Sequence, residues 1–282
     1  MEKLTQKQTE HQLLMQFIQD ECFVDAKIKI DYPPVALSMG EKLITTKSRD
    51  LLLPIPLATF GNLSVVTAPP KTKKTFFISL LSSVFLSGSN MFCGALKGHR
   101  NKGSLFHFDT EQGKWHCQKV FKRPLDMADI DGSQNIYHTF GLRTVNHKSR
   151  IDFIEYYLKE NAKEPSLVII DGIADLVSDA NNLQESNEIV QKLMKWSASY
   201  NCHIINVIHQ NFGSSKLGTG HLGSFLEKKA ETVIQLEANT VNKEWVTVRC
   251  GRSRGFSFET FSFEVNDYGL PCVVDDLYDP LK

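Results

Sequence analysis

The stretch Ala68 to Thr75, A-P-P-K-T-K-K-T, limits most strongly what this chain can fold into. Leu63-Ser-Val-Val-Thr67 precedes it and reads as a buried strand. Phe76-Phe-Ile-Ser-Leu-Leu-Ser-Ser-Val-Phe85 follows and reads as an apolar helix. A strand that runs through a short basic turn into a helix opening on Lys-Thr is the start of a βαβ unit, so it points to an α/β fold. The spacing follows G-x-x-x-x-G-K-[ST], with Lys74 and Thr75 in place and both glycines replaced, by Ala68 and Lys73. Such a turn gathers unpaired N–H groups and the positive end of a helix dipole, which suits a triphosphate. Lys74 would reach the β- and γ-phosphates, and the Thr75 hydroxyl would ligate Mg2+. Ala68 is a small departure from the template. Lys73 is a larger one, because a side chain in a left-handed conformation costs roughly 1–2 kcal/mol. The charges of Lys71 and Lys73 are the return. The competing reading is a plain basic turn.

The alternation continues downstream. Ser104–Phe108, Asn135–Thr139, Leu167–Ile170 and His203–Ile208 read as strands, and residues 112–122, 149–161 and 184–200 as helices. Leu167-Val-Ile-Ile170 is apolar throughout, as a central parallel strand should be. Val233–Leu236, Trp245–Cys250 and Phe256–Val265 alternate with period two and read as an antiparallel extension at one sheet edge. The expected architecture is therefore α/β, a mostly parallel central sheet flanked by helices with an antiparallel C-terminal extension. Upstream, Leu13, Leu14, Phe17 and Ile18 have helical spacing, and Tyr32-Pro33-Pro34 breaks the chain. This predicts an N-terminal helical segment, 1–35, whose helix packs on the body or on a neighbouring subunit, with the body taken first. One large domain, 36–282, follows.

Lys plus Arg and Asp plus Glu both number 32, so no global field draws in nucleic acid, and any such contact must come from local patches. The six cysteines are scattered, with no C-x-x-C, which fits buried thiols in a reducing compartment better than disulfides or zinc. With no signal pattern and no apolar run of about 18 residues, the expectation is a soluble, cytoplasmic protein with no membrane partner.

Several further residues carry candidate chemistry. Ser166-Leu-Val-Ile-Ile-Asp171 is an apolar strand ending in a carboxylate that would hold Mg2+; the alternative is that Asp171 caps a turn. The strand 104–108 runs into Asp109-Thr-Glu-Gln112. If it lies near the phosphate-loop strand, Glu111 would polarise an attacking water, with Asp109 as competitor and a solvated acidic turn as the bland reading. His209-Gln210 closes a strand where a γ-phosphate could be sensed, or where a histidine is simply hydrogen-bonded. Residues 212–224 hold four glycines and read as a mobile loop. Its Lys216, Gly218, Thr219 and Gly220 suit contacts to a nucleic-acid backbone; a plain connector is the alternative. Gly251-Arg-Ser-Arg-Gly255 places Arg252 and Arg254 at a hairpin tip, either solvated or inserted into a neighbour's site. The basic loop Lys97–Lys102 is read as solvated.

In this order the residues resemble the RecA-like ATPase family, nearest its RepA/DnaB-type replicative helicases and their KaiC-like relatives. The resemblance covers roughly 40–266 and rests on A-P-P-K-T-K-K-T, D-T-E-Q, L-V-I-I-D, I-H-Q, the glycine-rich segment before E-K-K-A-E-T-V-I, and G-R-S-R-G. A loop ending in K-K-T is also similar to that of short RepA-like proteins of mobile elements. The resemblance implies a ring of identical subunits, possible as a hexamer, with ATP and Mg2+ between neighbours. ATP would contact residues Ala68, Pro69, Pro70, Lys71, Thr72, Lys73, Lys74, Thr75 and Phe76, together with His209 and Gln210. Thr75 and Asp171 would serve the metal, Glu111 the water, and Arg252 or Arg254 the neighbour's site. Residues 212–224 would face single-stranded DNA. The chain is thus expected to be an ATPase that acts as a DNA helicase or replication protein. Two other readings remain at this point: a nucleotide-sensing regulatory module with weak or no hydrolysis, favoured by the lost glycines, and a non-enzymatic DNA-binding protein.

Overall fold

The computed structural model describes residues 6–45, 49–88, 96–100, 103–131, 135–161, 163, 165–210 and 218–274. The chain divides into two compact units, Met1–Tyr32 and Pro33–Lys282, with the boundary at the Tyr32-Pro33-Pro34 break. In the first unit, α1 (Gln6–Cys22) is a single helix. One helix provides no core of its own, and Leu13, Leu14, Phe17 and Ile18 are exposed.

The second unit begins with a hairpin of β1 (Val35–Thr45) and β2 (Asp50–Thr59). Together with β4 (Leu96–Gly98) the hairpin forms a three-stranded sheet in the order β2-β1-β4. The alternating β and α elements build the main sheet. Its strands are β3 (Leu63–Ala68), β5 (Ser104–Asp109), β6 (Tyr137–Gly141), β7 (Pro165–Asp171), β8 (His203–His209), β9 (Thr232–Ala238), β10 (Val246–Ser253), β11 (Phe261–Val265) and β12 (Pro271–Val274). Their order is β12-β11-β10-β9-β3-β8-β7-β5-β6. The run from β9 to β6 is parallel throughout, and β10, β11 and β12 are added antiparallel.

Apolar runs without polar alternation produce strands buried on both faces. Successive side chains then serve two cores. Val66, Leu167 and Ile169 join the cluster around α2 (Lys74–Ser87), whose Phe77, Leu80, Leu81, Val84 and Phe85 are buried. Val65, Val168 and Ile170 face the opposite cluster, with Ile154 and Leu158 of α4 (His147–Glu160), Ile189, Leu193 and Trp196 of α5 (Leu183–Ser199), and Leu222 and Leu226 of α6 (Gly220–Lys229). The remaining helix, α3 (Lys114–Ala128), packs against α2.

The C-terminal region differs from the sequence reading. Val233–Leu236 is not part of the antiparallel extension. It lies in β9, which runs parallel to β3 with Ser64 opposite Thr232 and Thr67 opposite Gln235. The reversal needed for parallel pairing is supplied by α6, whose apolar positions are embedded in a glycine-rich stretch that masks a helical period. Residues 256–260 precede β11 rather than forming part of it, and β12 carried no sequence signal.

Candidate functional site

Parallel pairing brings the carboxyl ends of β3, β8, β7 and β5 to one edge. Ala68 lies opposite His209, and Asp109 opposite Asp171. Ligand sites of open α/β sheets form at that edge, and every candidate from the phosphate turn, the two acidic strand ends and the His-Gln pair is found there.

The turn itself follows the template. Ala68 is still in strand geometry and fully buried, so the first missing glycine is not needed for backbone freedom. The second is: Lys73 has φ 52 and ψ 29, the left-handed region. Lys71, with φ 65, is left-handed as well. The Thr72 hydroxyl donates to the Pro69 carbonyl at 2.9 Å, which closes the turn internally. The charge offered by Lys73 is not directed at a phosphate position here. Its ammonium donates to the Glu244 carbonyl at 2.8 Å and lies 3.6 Å from that residue's carboxylate. Thr75 and Phe76 begin α2 just beyond Lys74 and are half-buried.

Lys74 enters the site. Its ammonium donates to His209 Nδ1 at 2.6 Å, and His209 Nε2 stands 3.6 Å from Glu111 Oε1. Burial lowers the Lys74 pKa, with the charges of Glu111 and Asp171 opposing that shift. Glu111 is held low chiefly by His209. β5 is separated from β3 by β8 and β7. The loop after β5, rather than strand adjacency, therefore carries Glu111 to Lys74.

The acidic side settles which carboxylate is available. Asp109 Oδ1 accepts from the Glu111 and Gln112 amides at 3.0 and 2.8 Å, and its Oδ2 accepts from Gln112 Nε2 at 3.0 Å. Asp109 is thus consumed in shaping the turn that presents Glu111. Asp171 is the opposite case. Its Oδ2 is buried with no hydrogen-bond partner among the described residues. Burial, then the neighbouring Asp109 and Glu111, push its carboxyl up to about 8. A buried carboxylate oxygen without a donor, within electrostatic reach of the phosphate-turn Lys74, fits Mg2+, which takes one or two protein ligands and completes its shell with phosphate and water. Thr75 and Asp171 are the residues that would hold it.

Thr110 and Gly172 are functional supports that the sequence reading missed. The Thr110 hydroxyl lies 3.0 and 2.9 Å from the carbonyls of Asp171 and Gly172, stapling the two acidic strand ends. Gly172 has φ +95, and a Cβ there would lie 2.3 Å from the Thr110 hydroxyl and 2.7 Å from Glu111 Cγ. The D-T-E-Q and I-D-G strings contain both residues, but nothing in them announces the staple.

The remaining candidates are dispersed. Gln210 donates from its amide to the Ala68 carbonyl at 3.0 Å and from Nε2 to Thr67 Oγ1 at 3.3 Å, beside the turn. Thr219 binds the His209 carbonyl through both its amide, at 2.9 Å, and its hydroxyl, at 2.8 Å. The Gly218 amide donates to Glu227 Oε1 at 2.7 Å, and Gly220, at φ +67, sits against Ala180. Gly218, Thr219 and Gly220 thus shape the entry to α6, while Lys216 lies outside the described residues. Arg252 lies within β10, opposite Val233, rather than at a hairpin tip, and Arg254 follows in the bend that opens the β10–β11 connection. Because β10 is antiparallel to β9, both arginines fall at the edge of the sheet opposite Lys74. Both are exposed, and Arg254 donates to the Lys229 carbonyl at 2.8 Å.

A parallel sheet with a Lys-Thr phosphate turn at its carboxyl edge, facing a strand-end Asp and a Glu, defines a P-loop ATPase domain with the RecA-like fold. Residues 34–214 match the family model described as AAA domain, and the chain belongs to that family. Among solved structures it is similar to the "ATPase Domain of G40P", with 16% identity, a TM-score of 0.53, and 76% of this chain and 85% of that one covered. At that identity the likeness concerns the fold. No curated protein matches.

Proposed function

We propose that the domain hydrolyses Mg-ATP and couples the cycle to single-stranded DNA, as a ring of identical subunits in the cytoplasm. The observation that carries this reading is the convergence of the Lys74 ammonium, Glu111 and the buried Asp171 carboxylate, whose Oδ2 has no partner among the described residues, on one edge of the sheet. On binding, Lys74 exchanges His209 Nδ1 for β- and γ-phosphate oxygens. Thr75 and Asp171 would hold Mg2+, which would supply charge neutralisation on the phosphates. Glu111 accepts the proton of the attacking water as its oxygen bonds to the γ-phosphorus and the bond to the ADP oxygen breaks. Arg252 of a neighbouring subunit offsets charge in that transition state. His209, released from Lys74, changes its position relative to Thr219 and so relays the nucleotide state to residues 211–217, where Lys216 meets the strand. Among the described residues no helix is long and apolar enough to cross a membrane.

Lys74→Ala tests the assignment. The variant is expected to lose Mg-ATP binding and turnover together, and normal hydrolysis would refute the proposal. A second reading, a nucleotide sensor that scarcely hydrolyses, is favoured by the left-handed Lys73 and by the contact that holds Lys74 on His209. Turnover measured with and without single-stranded oligonucleotide separates the two, since stimulation belongs to the motor and a flat, near-zero rate to the sensor.

A further inference from the structure

Lys73 stands where the template has glycine, yet its backbone still adopts φ 52 and ψ 29. A non-glycine residue keeps that conformation only when its surroundings hold it there. The Lys73 side chain contacts a part of the chain far away in sequence. β9 runs parallel to β3, so the turn from β9 to β10 emerges beside the phosphate turn. That turn is itself rigid. Asn239 Oδ1 accepts from the amides of Val241 and Asn242 at 2.9 Å each, and Asn239 Nδ2 donates to Thr247 Oγ1 at 3.0 Å. Asn242 Oδ1 accepts from the Glu244 amide at 3.0 Å, and Trp245 Nε1 donates to Glu264 at 2.9 Å. Glu244 is thereby fixed with its carbonyl 2.8 Å and its carboxylate 3.6 Å from the Lys73 ammonium.

We infer that the β9–β10 turn is a positioning element for the nucleotide site. Through Glu244 it holds Lys73 left-handed, giving this chain by a long-range tether the loop shape that a glycine would give locally. The inference rests on the ATP reading for its affinity readout. Lys73 is accordingly a conformational residue rather than a phosphate ligand, and the turn is required for tight nucleotide binding only while position 73 carries a side chain.

The test is a double-mutant cycle on the full chain, with a fluorescent ATP analogue and Mg2+ as the probe. Lys73→Met keeps the side-chain strain and removes the tether, and it is expected to weaken binding roughly tenfold, the equivalent of about 1.4 kcal/mol and within the cost of a left-handed side chain. Lys73→Gly removes strain and tether together and is expected to bind more tightly than Lys73→Met by a similar factor. Asn239→Ala, which loosens the turn, should weaken binding with Lys73 present and have much less effect with glycine at 73. If Met and Gly weaken binding equally, the Lys73 charge itself serves the phosphates and the inference falls. It falls also if neither substitution has an effect. Amide exchange in the nucleotide-free protein gives a readout independent of ATP. Residues 72–75 and 240–245 should both exchange faster in Lys73→Met, and an unchanged pattern overturns the tether even if the protein proves not to bind ATP. Loss of wild-type ATP binding with the exchange effect intact would instead remove the ATP reading and leave the tether standing.

Discussion

At the scale of single residues, the site separates four polar groups of similar appearance into different roles by their hydrogen bonds. Asp109 and Glu111 are two residues apart, yet one is saturated by amide donors and the other faces His209 and Lys74. Asp171 is buried, with no partner for Oδ2 among the described residues, and burial followed by the charges of Asp109 and Glu111 pushes its carboxyl up to about 8. His209 sits between Lys74 and Glu111. This division predicts a particular split for Glu111→Gln. The amide keeps the shape and some of the polarity but cannot accept the proton of water. Mg-ATP affinity should stay within a few-fold of wild type, while the turnover number falls by roughly 10²–10⁴. Equilibrium binding alongside steady-state hydrolysis measures it. A variant that hydrolyses at the wild-type rate would move the base to another group.

At the scale of elements, burial decides what the sequence could show. Strands β3, β5, β7 and β8 were legible because apolar runs bounded by polar strand ends have few alternatives in an α/β chain. Lys74, Thr75 and Asp171 became candidates because of where those runs stop. What was not legible depended on partners distant in sequence. Examples are β9 joining the parallel sheet, Lys73 tied to Glu244, and Arg252 lying within a strand; pairing of that kind leaves no mark in local spacing. Buried histidines within strands are a second feature invisible to periodicity. His107 on β5 is fully buried, with Nδ1 2.9 Å from the Tyr137 hydroxyl and Nε2 without a partner among the described residues, and burial lowers its pKa to about 3. His203 on β8 is lowered to about 4 by the same cause. In both, the folded value lies below the unfolded one. The stability they confer is complete above about pH 6.5 and is lost as pH falls, because the unfolded chain takes up protons that the folded chain refuses until about 3 and 4. Chemical denaturation followed between pH 7 and 4 should show this loss. In His107→Phe the slope should be shallower by up to about 1.4 kcal/mol per pH unit, whatever its effect at pH 7. An unchanged slope would mean that His107 takes up a proton in the folded state.

At the scale of the whole molecule, the positions of the two arginines bear on assembly. The nucleotide edge and the arginine edge are opposite ends of the same strands, so no arginine from 252–254 can serve the Lys74 of its own chain. A site completed by such an arginine needs a second subunit placed head to tail. An interface of that kind uses different patches on the two partners and repeats until it closes into a ring. The structure also distinguishes the two candidates. Both are exposed, but Arg254 secures the end of α6 through the Lys229 carbonyl, and its amide donates to the Glu231 carbonyl at 2.9 Å. Arg252→Ala should therefore lower turnover by roughly 10³–10⁵ with the fold intact, the range reported by removal of a trans arginine. Arg254→Ala should act mainly on stability. The decisive measurement mixes two inactive proteins. Lys74→Ala supplies an intact Arg252 but cannot bind ATP, and Arg252→Ala binds ATP but offers no arginine. In a mixed ring, every site in which an Arg252→Ala subunit binds nucleotide against a Lys74→Ala neighbour is complete, so activity should reappear on mixing and peak near equal proportions. Mass measurement with ATP analogue and oligonucleotide would show the assembly that makes this possible. If the mixture stays as inactive as its components while such an assembly forms, Arg252 does not act across the interface.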